Sequence, residues 1–129
     1  MGFFSSFSGS FSAGRKPKIS KFQTYEFNVT ASSFSYYTFS GDVQGNDPTI
    51  NCQSGDTLIF NLGSGVSSHP FWIKTSNVTG TSSGVTSGNL SGNGQTSGSI
   101  TWETSGVAPG TYYYICQYHS SMVGQINIS

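Results

Sequence analysis

The apolar runs in this chain are short, rich in aromatic and β-branched residues, and each is cut off by Gly, Ser, Asn or Asp. Runs at residues 22–30, 34–39, 49–52, 58–62, 69–73, 99–102, 111–116 and 124–128 favour extended backbone, because such side chains fit a pleated, half-buried surface. The punctuation between them is turn chemistry: Gly41-Asp42, Gly45-Asn46-Asp47-Pro48, Ser54-Gly55-Asp56 and Pro109-Gly110. Residues 76–97 are nearly all Gly, Ser, Thr and Asn, which predicts a long polar surface loop. No stretch carries the 3.6-residue apolar period of a helix over a useful length. Seven to eight strands in about a hundred residues predict an all-β sandwich.

A chain of 129 residues has room for one domain and a short tail. Five basic and five acidic residues cancel, but their placement is uneven. Arg15, Lys16, Lys18 and Lys21 crowd the start, whereas Lys74 is the one later cation, set against Glu26, Asp42, Asp47, Asp56 and Glu103. Residues 1–21 therefore read as a flexible Phe/Ser/Gly arm with a basic end, and residues 22–129 as the folded domain. An acidic body argues against a nucleic-acid partner. No segment reaches the apolar length of a membrane span. The first residues lack the positive start and continuous apolar core of a secretory signal, which predicts a cytoplasmic protein or part of an extracellular particle.

One loop concentrates the chemistry. Cys116, His119 and Met122 are spaced Cys-x-x-His-x-x-Met between two β-prone runs, and His69, the other histidine, stands at the entrance to an earlier run. Singly, each has an ordinary structural use: a small buried thiol, a hydrogen-bonded imidazole, a gap-filling thioether. Jointly they use both histidines and the only methionine besides Met1. One thiolate and two imidazoles in a plane with a weak axial thioether suit one copper ion in both oxidation states. The predicted metal ligands are His69, Cys116 and His119, with Met122 the weak fourth.

The sequence resembles the plastocyanin, pseudoazurin and amicyanin group of cupredoxins. The resemblance rests on Pro48-Thr49-Ile50 leading to Gly55-Asp56-Thr57-Leu58-Ile59-Phe60, on His69 after a Ser/Gly loop, and on the run from Gly110 to Ile126 that includes Tyr114-Ile115-Cys116-Gln117-Tyr118-His119-Ser120-Ser121-Met122. It extends from about residue 22 to the C-terminus. It implies a Greek-key sandwich of two sheets with copper at one end, and one-electron transfer between Cu(I) and Cu(II) to a redox partner protein through the exposed edge of His119. The group often has Asn directly after the first His, tying the two ligand loops together. Here that residue is Pro70, with no backbone donor and no polar side chain, so the resemblance implies a differently held site. Many members of the group act in periplasmic, lumenal or extracellular spaces, so the missing signal is a second departure.

Three other readings compete. Cys52 and Cys116 with Trp72 between them, and Tyr114-Ile115-Cys116, imitate an immunoglobulin-like sandwich with a Cys52–Cys116 disulfide. The copper reading instead makes Cys52 a buried free thiol out of reach of the site. A zinc enzyme would need a base, but the ligand loop holds no carboxylate, and both histidines are already used, so catalysis has no independent support. An assembly protein, for example one decorating a virus particle, would use the same scaffold and contact the larger assembly through residues 1–21. Four Asn-x-Ser/Thr matches, at Asn28, Asn77, Asn89 and Asn127, are what a chain this rich in Asn, Ser and Thr produces by chance. Tyr112, Tyr113, Tyr114 and Tyr118, with Trp72 and Trp102, read as packing residues first.

Overall fold

In the computed structural model, residues 21–129 are described, and ten strands run through them. Most of the expected arm, residues 1–20, lies outside the described residues. The strands are β1 (Thr24–Thr30), β2 (Thr38–Gly41), β3 (Gly45–Asn46), β4 (Ile50–Cys52) and β5 (Thr57–Leu62), then β6 (Phe71–Lys74), β7 (Asn89–Ser91), β8 (Gly98–Glu103), β9 (Gly110–Cys116) and β10 (Val123–Ile128). A single 3-10 turn, Val66–Ser68, precedes β6.

Two mixed sheets form the sandwich, one of order β3-β2-β1-β5-β8-β7 and one of order β4-β10-β9-β6. The chain crosses between sheets repeatedly, as a Greek key does and a meander does not. The Ser54-Gly55-Asp56 turn is one such corner, since β4 and β5 belong to different sheets. Asp56 makes the corner rigid: its buried carboxylate accepts N–H bonds from Gln23 at 2.9 Å and Gln53 at 2.7 Å. β1 runs parallel to β5, and β4 runs parallel to β10, so both sheets are mixed.

Alternation explains the core. Phe27 and Val29, Leu58 and Phe60, and Ile100 and Trp102 point inward from one sheet; Ile50, Phe71, Ile73, Tyr114, Ile126 and Ile128 do so from the other. Aromatic rings fill the centre. Phe71 stacks on Tyr114 at 5.5 Å, Phe39 lies 4.9 Å from Tyr114, and Phe60 lies 5.2 Å from Phe71. Each such ring buries a large apolar area, and tilted or offset contacts add to it.

The eight expected runs all contain strands; two short ones join them. β3 lies inside the expected turn at residues 45–48, where two residues pair with Thr38 and Phe39. β7 lies inside the polar loop 76–97, and Gly84 and Gln95 of that loop also bridge to Lys74 and Phe71. A polar composition did not prevent pairing, because the loop covers the otherwise open edge of β6. The run 34–39 becomes extended only from Thr38, leaving Phe34 66% exposed and Tyr37 fully buried.

Candidate metal centre

His69 is placed by a turn with little freedom. Gly65, at φ 84°, begins the 3-10 turn, and a Cβ there would strike the Ala31 carbonyl, so only glycine lets the chain pass. The His69 N–H then donates to the Val66 carbonyl at 2.8 Å. The second limb is the six-residue loop closing the β9–β10 hairpin. Cys116 N–H donates to the Met122 carbonyl at 3.0 Å, and Met122 N–H to the His119 carbonyl at 3.1 Å. These bonds fold the loop back on itself.

The result brings three of the four predicted ligands together. His69 Nδ1 lies 3.2 Å from His119 Nδ1 and 3.7 Å from Cys116 Sγ, and His119 Nδ1 lies 3.5 Å from Cys116 Sγ. Cys116 is fully buried; both histidines are partly exposed. Among the described residues this trio of two imidazoles and one thiol is a group able to hold a metal ion. Met122, fully buried, sits at the base of the same loop in the core cluster that also contains Cys116.

The donor set fits a metal by size as well as by type. The point equidistant from the three atoms lies about 2 Å from each, and metal bonds to imidazole and thiolate are about 2.0–2.3 Å long. Burial, and then the neighbouring His119 ring, hold His69 below the usual imidazole value, which favours the neutral form a ligand needs. One backbone donor faces the sulfur: Tyr118 N–H, at 3.4 Å.

Pro70 does not leave the two limbs untied. Its carbonyl accepts the Gln117 N–H at 3.0 Å, so the tie runs from the second limb to the first. Gln117 is itself fixed twice more, by Trp72 Nε1 donating to its side-chain oxygen at 2.9 Å and by Gly80 N–H donating to its carbonyl at 2.8 Å. Beneath them, the Tyr37 hydroxyl donates to the His69 carbonyl at 2.7 Å. Burial first, then the adjacent Cys116, push that hydroxyl far above the usual phenol range, so it stays a donor. Tyr37 and Gln117 were not identified from sequence as parts of the site. The absence of a donor at Pro70 was the one available sign that others must supply it.

The remaining acids and Cys52 lie elsewhere. Glu103 accepts a bond from Asn89 at 3.2 Å on the surface. Cys52 pairs with Ile128, which pairs with Gly110 at the opposite end of β9 from Cys116. Six residues of strand separate the two levels, about 20 Å, whereas a disulfide needs Cα atoms within about 7 Å. Both thiols are free, and the immunoglobulin-like disulfide is excluded. A surface groove of 470 Å³ opens at that far end, beside Lys21, Cys52 and Asp56. No described helix is long and apolar enough to cross a membrane.

No family model matches the sequence, and no curated protein matches it. Solved structures do. The copper protein rusticyanin aligns over 87% of this chain and 86% of its own, with 21% identity and a TM-score of 0.52. Pseudoazurin from Hyphomicrobium denitrificans aligns over 82% of this chain and 75% of its own, with 17% identity and a TM-score of 0.50. With the two sheets and their order, these likenesses show that the chain has a cupredoxin-like fold.

Proposed function

We propose that the chain binds one copper ion through His69, Cys116 and His119, with Met122 as the weak fourth ligand, and passes single electrons to and from a partner protein. The observation that carries this reading is the donor triangle: one sulfur and two Nδ1 atoms converge within 3.7 Å of one another at one end of the sandwich. When bound, copper supplies a one-electron couple between Cu(I) and Cu(II). The chain supplies the rest. Cys116 is shut away from water, the Tyr118 N–H faces its sulfur, and the ligand loop is held by its own backbone bonds. A site held this firmly changes little between oxidation states, which keeps reorganisation small. His119, partly exposed next to the exposed rings of Phe34 and Tyr118, is the ligand nearest a partner.

The test is a visible absorption spectrum of the purified protein with Cu(II) added, followed by dithionite. An intense blue or green thiolate-to-copper band that bleaches on reduction is expected. Cys116→Ala should abolish it. Met122→Ala should retain copper with an altered colour and potential. A colourless wild-type protein, or a Cys116→Ala protein with the band intact, would overturn the assignment.

A further inference from the structure

The first limb of the site has an unusual problem. A backbone N–H or a polar side chain after His69 would ordinarily anchor that limb, and Pro70 offers neither. Beyond the His69 N–H, which is bonded to Val66, the His69–Pro70 segment can be held only through its two carbonyls, and both are engaged. The His69 carbonyl accepts the Tyr37 hydroxyl at 2.7 Å, and the Pro70 carbonyl accepts the same hydroxyl at 3.3 Å and the Gln117 N–H at 3.0 Å. One phenol proton is thus shared between the two carbonyls flanking the His69–Pro70 peptide, with the shorter bond on His69.

Tyr37 is itself fixed from every side. It is fully buried, its ring meets Phe71 edge-on at 5.0 Å and lies 6.5 Å from Tyr114. Its backbone is clamped both ways by Asp47, which receives the Tyr37 N–H on its carboxylate at 2.9 Å and donates its own N–H to the Tyr37 carbonyl at 2.8 Å. Asp47 holds φ 44°, a conformation that Asn, Asp and Gly tolerate best. A rigid hydroxyl, thirty-two residues away in sequence, therefore meets the peptide that carries a ligand.

We infer that Tyr37 is a positioning residue: its hydroxyl fixes the His69–Pro70 peptide and thereby the placement of the His69 ring against Cys116 and His119. It touches no metal-donor atom of His69 or His119; its side chain also neighbours Cys116, and its hold on His69 runs through the backbone. This rests on the copper reading for its consequence, but not for its geometry. Groups that orient metal ligands in this way are worth about 10–100-fold in metal affinity.

Tyr37→Phe removes one oxygen and keeps the ring. In the metal-free protein, exchange of the His69 amide, measured by NMR, should accelerate several-fold. After Cu(II) loading, transfer of copper to a chelator should be about 10–100-fold faster, with a shifted visible band. Tyr114→Phe is the control, because it deletes another buried tyrosine hydroxyl, bonded to the Pro48 carbonyl at 2.6 Å, away from the His69 limb. It should lower stability without speeding copper release. Asp47→Gly, which unclamps the Tyr37 backbone and leaves its ring, should raise His69 exchange as Tyr37→Phe does; that carboxylate also holds Val123 beside Met122, so only His69 exchange is read in this variant. Unchanged His69 exchange and copper release in Tyr37→Phe would overturn the inference, as would equal acceleration of release in Tyr114→Phe. If the wild-type protein takes up no Cu(II), the copper reading fails, while His69 exchange in the metal-free variants still decides the role of Tyr37.

Discussion

Asp47 shows how a single side chain can serve the fold at an electrostatic cost. Burial pushes its carboxyl up to about 6, against backbone N–H bonds from Tyr37 and Val123 that pull it down. The native state therefore holds the proton more tightly than the unfolded chain, whose carboxyl titrates near 3.8. Its contribution to stability should be greatest below about pH 4, fall as pH rises to about 6, and level off above. Thermal unfolding followed across that range checks the sign. Asp47→Asn, which keeps an acceptor oxygen and tolerates the backbone conformation, should flatten the slope. At this scale the sequence marked residues 45–48 as a turn from Gly, Asn, Asp and Pro; Gly45 and Asn46 pair as β3 and the bend falls at Asp47. It held no sign that Asp47 would reach the Tyr37 backbone, because a contact between two loops is not a periodicity.

Among elements, the connection from β6 to β8 departs most from its composition. Gly, Ser, Thr and Asn through residues 76–97 suggested a loose excursion, yet the segment forms β7, buries Val85 and lies along the edge of β6. Lys74 is the pin. Its ammonium is buried, donates to the Val78 carbonyl at 3.0 Å and the Gly80 carbonyl at 2.7 Å, and sits 5.4 Å from the Trp72 ring centre. Burial lowers its pKa, but carbonyl oxygens and an aromatic face replace part of the lost water. Lys74→Met keeps the stem and strands two carbonyls, so a loss of about 1–3 kcal/mol is expected in a denaturant titration. Hydrogen exchange of the Gly80 amide should rise with it, since that amide is bonded to Gln117 of the ligand loop. Strands with strong β-formers were legible one by one. β3 and β7 were not, because two or three polar residues pair only when a neighbouring edge is already in place.

For the whole molecule, the length of one sheet separates the two thiols to opposite poles. Cys116 lies in the donor triangle, and Cys52 lies at the end where β4 and β10 finish. Burial first, and then Asp56, push the Cys52 thiol up to about 11, so at neutral pH it stays protonated and unreactive in the native state. A thiol reagent should therefore modify two cysteines per chain in denaturant, and Cys52 should react only slowly in the folded protein at pH 7–8. Mass spectrometry without reductant should find no Cys52–Cys116 crosslink; finding one would contradict the fold. The meeting of His69, Cys116 and His119 was legible because scarcity made it so: a chain with two histidines leaves few combinations. What tied those ligands was not legible, since Tyr37, Gln117 and Gly80 come from three separate segments.

Tyr114 lies directly across the β9–β10 hairpin from Gly124, and any Cβ there would collide with its phenol. Tyr114 is also two residues before Cys116 on the same inward face. A methyl group at position 124 would lever the strand just where it presents the Cys116 sulfur. A side chain there would thus disturb the pole where His69, Cys116 and His119 meet from beneath, without touching any of the three.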